Sequence, residues 1–326
     1  MYYAVRQTIV HPINQLAKAT EGFVSEQKNQ GGQSAIAGLH IKTGDEIENL
    51  CGSIKKMEQE IYSYIDDLTS ITAEKERIGA ELDVAKHIQA SMLPRIFPPF
   101  PQRHEFDIYA TMTPAKEVGG DFYDFFLVDD DHLAMVMADV SGKGVPATLF
   151  MMISKTLIKS AAQLGLSPKE VLEKVNNQLC ESNEAEMFVT VWLSVLEIST
   201  GKMICANAGH EYPAIKLKNG VFELFKDKHR FVLAGMENAK YKEYELNLSK
   251  GDTIFVYTDG VPEATNAKDE LFGTDRMLIA LNKEPNASCN ELLRSVQQDV
   301  DAFVAEASQF DDITMLCLEY GERREV

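Results

Sequence analysis

Four aspartates stand where a folded β protein does not ordinarily place a charge, at the ends of apolar runs and beside glycine or small residues. Asp121 follows Gly119-Gly120. Asp139 closes the run Leu-Ala-Met-Val-Met-Ala, and Asp259 closes Thr-Ile-Phe-Val-Tyr-Thr and precedes Gly260. Asp311 precedes Asp312-Ile-Thr-Met-Leu. Gathered in one cleft, such carboxylates repel and raise one another's pKa, so the group is stable only when cations neutralise it. With oxygen donors only, and no Cys/His pairing at ligand spacing, the ions expected are Mg²⁺ or Mn²⁺ rather than Zn²⁺. Two such ions a few ångströms apart hold and deprotonate a bridging water for in-line attack on a phosphoryl group. A lone Asp-Gly pair is more often a turn, so the argument rests on the four taken together.

The wording around the aspartates extends well beyond them. The blocks are Ala115-Lys-Glu-Val-Gly-Gly-Asp-Phe-Tyr-Asp124, Ala138-Asp-Val-Ser-Gly-Lys-Gly-Val-Pro-Ala147, Ala206-Asn-Ala-Gly-His210, Tyr257-Thr-Asp-Gly-Val-Pro-Glu-Ala264 and Phe310-Asp-Asp-Ile-Thr314. In this order they resemble the SpoIIE/RsbU branch of the PPM (type 2C) metal-dependent Ser/Thr phosphatases, over roughly residues 86–320. The resemblance implies an α+β fold, an αββα sandwich of two antiparallel sheets flanked by helices. It implies two Mn²⁺ or Mg²⁺ ions, with Asp121 and Asp139 bridging or binding them, the Val140 carbonyl adding a ligand, and Asp259 and Asp311 completing a set that is also the catalytic one. Asp312 is the neighbouring alternative to Asp311, and the first of the pair is preferred. Eukaryotic members of the wider family carry a histidine just after the second aspartate. This chain reads Asp-Val-Ser-Gly there, which leaves protonation of the leaving group without a residue.

Lys116 and Lys143 are the basic residues nearest these blocks, and each is a candidate for pairing with a substrate phosphate as a point charge, or equally a solvated surface lysine. His210, after Asn207-Ala-Gly, reads as a hydrogen-bonded structural histidine, with Asn207 and Gly209 shaping its turn. Met135, Met137, Met151 and Met152 lie at strand and helix spacing and read as core. The implied substrate is a phosphorylated protein, by resemblance a STAS-domain anti-anti-sigma factor of a bacterial partner-switching pathway. A catalytically inactive phosphoprotein-binding or dimeric scaffold module is the alternative, and the presence of all four aspartates weighs against it. A nucleotide-using phosphotransferase is excluded for want of a G-x-x-x-x-G-K-[ST] loop.

The elements that must position these residues follow a Pro-rich joint at residues 94–101. Short alternating runs predict strands at Phe106–Thr111, Phe122–Val128, Leu133–Asp139, Phe188–Ile198, Met203–Asn207, Ala214–Leu217, Glu243–Leu248, Thr253–Tyr257 and Ile313–Leu318. Helical spacing covers 145–164, 168–182 with Ser167 as its cap, 275–283 and 288–307. The phosphatase domain is accordingly placed at 94–326.

Upstream, a heptad runs through residues 47–93 with Ile47, Leu50, Ile54, Met57, Ile61, Tyr64, Leu68, Ile71, Ile78, Leu82, Ala85 and Met92 at its a and d positions. Lys75 and Gln89 interrupt it, and are read as register-setting or weak layers. A helix of this length, about 70 Å, does not bury its stripe alone, so a parallel coiled-coil homodimer is expected. A helix folded back on the globular domain is the competing arrangement. Residues 1–24 read as a short amphipathic helix in which Pro12 breaks the regular ladder, and 25–43 as an extended connector anchored by Ile36, Leu39 and Ile41. The blocks Ile9-Val-His-Pro-Ile-Asn-Gln-Leu16, Leu39-His-Ile41 and Gly44-Asp-Glu-Ile-Glu-Asn-Leu50 resemble a HAMP region, placed at 1–55. That resemblance implies a parent receptor held at the inner (plasma) membrane by spans absent from this chain, with this part in the cytosol.

Composition sets the outer bounds. The 326 residues are 45% hydrophobic and 25% charged, and carry a net charge of −18. That field repels nucleic-acid phosphates, so nucleic acid is not an expected partner. Five cysteines, scattered singly with no C-x-x-C, argue against a disulfide framework and fit a reducing cytoplasmic setting.

Overall fold

The period of the sequence changes at Pro94, and the architecture changes with it. The structure, a computed structural model, describes residues 2–26, 36–181, 183–217 and 220–321. Two units separate within it, Met1–Ala80 and Glu81–Val326.

In the first unit the N-terminal segment is helical to Glu26: α1 (Tyr2–Val5), a π-helical turn (Arg6–Val10) and α2 (His11–Glu26). The regular α-helical ladder is interrupted just before Pro12, while the chain stays helical through it. Proline lacks an N–H and its ring crowds the carbonyl four residues back. The wider turn just before it, in which the His11 N–H donates to the Arg6 carbonyl, absorbs the mismatch. The connector is not uniformly extended. Residues 36–38 form a turn closed by the Leu39 N–H on the Ile36 carbonyl at 3.2 Å, and 27–35 lie outside the described residues. Then α3 runs unbroken over Glu46–Met92. Leu16, Ile41 and Cys51 form a small buried cluster flanked by Leu39, Ile47 and Ile54. Phe23 meets Tyr62 edge to face, so α2 and α3 run in the same direction. Among the described residues no helix is long and apolar enough to cross a membrane.

The second unit takes in the last turns of α3 and then ten strands: β1 (Phe106–Thr113), β2 (Phe122–Leu127), β3 (His132–Val140), β4 (Val189–Glu197), β5 (Lys202–Ala208), β6 (Ala214–Lys216), β7 (Glu223–Leu224), β8 (Glu243–Asn247), β9 (Thr253–Tyr257) and β10 (Ile313–Tyr320). Interleaved are α4 (Val145–Ala162), α5 (Pro168–Cys180), α6 (Gly273–Leu281) and α7 (Cys289–Val304). One sheet has the order β1-β10-β9-β6-β7 and the other β2-β3-β4-β5-β8, all pairings antiparallel. Only the two-residue β7 was not anticipated by the pattern.

Strand alternation builds the layers. Along β10, Leu316 and Leu318 join the core shared with β2–β5, whereas Ile313, Met315 and Cys317 join a second core with Met277 of α6 and Leu292 and Val296 of α7. In β9, Ile254 and Val256 face the first core and Phe255 and Tyr257 the second. The other outer face is covered by Met151 and Ile158 of α4 and Val171, Leu172 and Val175 of α5. The fold is therefore an αββα sandwich, with capping boxes at Ser167/Glu170 and Ser288/Glu291 starting α5 and α7.

Candidate metal centre

Strand register brings the acidic blocks together. Phe122 pairs with Ala138, so Asp121 before β2 and Asp139 in β3 lie side by side at one end of their sheet. Tyr257 pairs with Met315, which sets Thr258-Asp259 beside Asp311-Asp312 at an end of the other. Asp121 links the two sheets: one of its oxygens, Oδ2, accepts from the hydroxyls of Thr258 at 2.7 Å and Thr314 at 2.6 Å.

The doubled aspartate divides its work. Asp312 is buried, and its carboxylate accepts the N–H groups of Ala115 at 2.8 Å and Gly120 at 2.9 Å. It thereby clamps the 115–120 loop to the start of β10. Asp311 is half-buried, forms an ion pair with Lys143 at 2.9 Å, and accepts the Asp312 N–H at 2.9 Å. The glycines of these blocks are there for close approach: a Cβ on Gly119 would lie 2.0 Å from Asp312 Oδ2, and one on Gly260 1.9 Å from the Asp312 carbonyl. The Val140 carbonyl stands over the same loop, 2.8 Å from where a Gly120 Cβ would be.

The electrostatics are those of crowded carboxylates. Burial, then the charges of Asp139 and Asp312, push Asp121 well above the usual carboxylate range. Burial and the charge of Asp259 push Asp139 up to about 7, with its contact to the Asp121 side chain pulling the other way. Burial, Glu263 and Asp311 raise Asp259 to about 6. Such a cluster gains from any cation that enters it, and its donors are all oxygen, which suits Mg²⁺ or Mn²⁺. Among the described residues no three acidic, His or Cys side chains already converge as a ready-made ion cage.

Of the remaining sequence candidates only Lys143 touches this group, through Asp311. Lys143 is at its rim, with Nζ donating to the Phe310 carbonyl at 2.6 Å and lying over the Phe310 ring. Lys116 is exposed on the clamped loop. His210 is buried against the Thr190 hydroxyl at 2.9 Å and exchanges two hydrogen bonds with Asn207, so it is structural; burial lowers its pKa to about 3 and keeps it neutral. The methionines Met135, Met137 and Met151 are fully buried core.

Sequence reasoning missed Thr258, Thr314 and Thr148, although the first two lie inside the quoted blocks, one residue from Asp259 and two from Asp312. It also misplaced Gln89. That residue is not a weak coiled-coil layer: it is buried in the second unit, donating to the Gly119 carbonyl at 2.8 Å and accepting the Gly119 N–H at 3.2 Å. Thr148 of α4 donates to the same carbonyl at 3.0 Å.

Residues 129–321, more than half of the chain, match the family described as Stage II sporulation protein E (SpoIIE). The chain belongs to the SpoIIE family. Within the PPM phosphatases it falls in the SpoIIE/RsbU branch. This SpoIIE-family chain is 30% identical to Protein IcfG of Synechocystis sp., over 97% of its own length and 52% of that protein's. It is 27% identical to the phosphoserine phosphatase RsbU of Bacillus subtilis, over 75% of this chain and 71% of RsbU. It thus spans about half of one relative and under three quarters of the other. Among solved structures, the SiaA-PP2C domain of Pseudomonas aeruginosa superposes with a TM-score of 0.67 at 22% identity, covering 76% of this chain and 99% of that domain.

Proposed function

We propose that this SpoIIE-family chain is a metal-dependent protein-serine/threonine phosphatase of bacterial signalling. The observation that carries the reading is the meeting of Asp121, Asp139, Asp259 and Asp311 at one end of the sandwich, where each raised carboxyl owes its shift to burial and to its acidic neighbours. Asp121, Asp139, Asp259 and Asp311, with the Val140 carbonyl, would hold two Mn²⁺ or Mg²⁺ ions. Bound there, the ions supply a water acidic enough to attack phosphorus near neutral pH and offset the charge on the phosphoryl oxygens.

The chain's own residues orient that chemistry. Thr258 and Thr314 fix Asp121 by one of its oxygens, Oδ2. Lys143 and Lys116 offer the nearest cations to an arriving phosphate, Lys143 by exchanging Asp311 for it. The substrate is a phosphorylated protein, with RsbU, a named phosphoserine phosphatase, as the supporting relative, and a STAS-domain anti-anti-sigma factor is the partner we favour. Control comes from the N-terminal HAMP-like unit, with α3 pairing to a second copy as a coiled coil; its parent is anchored at the membrane.

Phosphate release from p-nitrophenyl phosphate and from a phosphoserine protein, with and without Mn²⁺, tests the reading. Wild type turns over only with the ion, and Asp139→Asn and Asp259→Asn are inactive, a loss of at least about 100-fold given the weight of metal ligands and their partners. Bound ion and bound phosphoprotein without turnover would instead establish the scaffold module.

A further inference from the structure

At the β5–β8 edge of its sheet, two strands away from the β3 strand that carries Asp139, a carboxylate is buried without donors to meet it. The Asp227 side chain is 1% exposed, and neither of its oxygens has a hydrogen-bond partner among the described residues. His229 Nδ1 stands 3.2 Å from Oδ1 but outside the direction of a hydrogen bond. Burial raises the pKa of Asp227, against the pull of the nearby Asn207 amide, His229 ring and Tyr244 hydroxyl. A carboxylate so placed costs free energy until hydrogen-bond donors reach it. Asp227 lines a cavity of about 220 Å³, towards the small end of the range for small-molecule sites. Phe225 and Tyr244, with ring centroids stacked at 5.2 Å, form an aromatic part of its wall. Glu243, the other acid of the lining, is already engaged, accepting the Lys169 N–H at 3.0 Å. The lysines of the lining, Lys228 and Lys242, are both exposed, at the solvent side of the cavity.

We infer that this cavity binds a small molecule carrying a guanidinium group and its own carboxylate, the chemical class of arginine, with the guanidinium seated on Asp227. Two free oxygens on one carboxylate match the parallel N–H groups of a guanidinium fork, which an ammonium engages only as a point charge. The aromatic wall suits the same flat, weakly hydrated cation. Lys228 and Lys242 select against a bare cation, since their charges repel it, and favour a ligand whose carboxylate pairs with them. None of these residues is among those proposed to hold metal or phosphate, so the inference stands apart from the phosphatase reading.

The test titrates the full 326-residue chain with four probes. These are L-arginine, citrulline, in which a neutral urea replaces the guanidinium, agmatine, which lacks the carboxylate, and N-acetyl-arginine amide, which presents the side chain as a protein would. The single tryptophan supplies the signal: Trp192 Nε1 donates to the Tyr244 hydroxyl at 2.8 Å, and Tyr244 lines the cavity, so filling it alters the fluorescence. Calorimetry gives the affinity independently. L-arginine should saturate with a dissociation constant below about 1 mM. Citrulline on the wild type, and L-arginine on Asp227→Asn, should each bind at least about ten-fold more weakly, the loss of charge-assisted hydrogen bonds. Agmatine should bind about two- to five-fold more weakly than L-arginine, the worth of exposed ion pairs. Lys228→Ala with Lys242→Ala should erase that difference, and because both lysines are exposed this variant decides the matter if Asp227→Asn does not fold. No saturation by L-arginine up to about 10 mM, citrulline binding as tightly as arginine, or unchanged arginine affinity in Asp227→Asn overturns the inference. Tighter binding of N-acetyl-arginine amide than of L-arginine also overturns it, by assigning the cavity to an arginine side chain of a docked protein. Phosphate release plays no part in the readout, so failure here leaves the phosphatase reading untouched.

Discussion

Asp139 occupies a place that opposes its own charge: burial and Asp259 lift its pKa to about 7, far above an exposed aspartate. In the unfolded chain the same group is ionised from about pH 4 upward. Without metal, the folded state therefore holds a proton that the unfolded state has lost. Stability from this group is full below about pH 4 and declines as pH climbs to about 7. Asp139→Asn removes that dependence. In EDTA the variant should match wild type near pH 4 and exceed it by on the order of 2 kcal/mol at pH 7.5, while Mn²⁺ raises the melting temperature of wild type only. Thermal unfolding across pH with and without Mn²⁺ checks both, and an Asn variant no more stable than wild type at pH 7.5 would reject the electrostatic account. At this scale the sequence singled out the acids that strand register brings to one end of the sandwich, because Asp beside Gly at a strand end is chemically odd. It did not disclose how Asp311 and Asp312 divide their roles. Neighbouring side chains in an extended segment point to opposite sides, and only the partners, Lys143 for one and the 115–120 loop for the other, separate them.

Strand β2 and helix α4 are joined by a buried ion pair, Lys155 Nζ to the Asp124 carboxylate, with the second Asp124 oxygen accepting the Phe125 N–H at 3.0 Å. The pair ties the helix that follows the Asp139 loop to the strand that follows Asp121. Removing one partner strands the other charge in the core, so Lys155→Met alone should cost about 3–5 kcal/mol. Asp124→Leu combined with Lys155→Met leaves no orphan charge and should recover most of that loss. Urea unfolding followed by Trp192, the chain's single tryptophan and fully buried in β4, reports on this unit directly. A double variant as unstable as the single one would contradict the argument. Elements of this kind were legible because β-strands buried on both sides and amphipathic helices carry distinct periods. What failed was the far end of α3. A heptad continues through Gln89 on paper, but a stripe looks the same whether a second helix or a globular domain covers it, and here the domain covers that residue.

Over Met1–Ala80 the described residues bury little apolar surface and expose a long apolar stripe. Among its described residues Leu16, Ile41 and Cys51 cluster with a few flanking residues, and Ala19 and Ile36 are also buried, a small core for a unit of this length. Meanwhile the a and d positions Leu50, Met57, Tyr64, Leu68, Ile71 and Ile78 are all exposed in the single chain, Leu68 by 63% and Ile71 by 64%. A second copy of α3 laid parallel would cover this stripe, and the polar layer at Lys75 would weaken the seam while holding its register. The chain should therefore sediment as a dimer. Leu68→Lys with Ile71→Lys should halve the sedimenting mass by placing charges in adjacent core layers, and Lys75→Leu should lower the dimer dissociation constant by about ten-fold or more, the equivalent of about 1.4 kcal/mol. Because the four aspartates proposed to hold metal all come from one chain, the lysine variant should keep its turnover of p-nitrophenyl phosphate at saturating Mn²⁺. A wild-type monomer would return α3 to the arrangement in which it folds back on its own domain, and a double-lysine variant that remains dimeric would move the dimer contact away from this stripe.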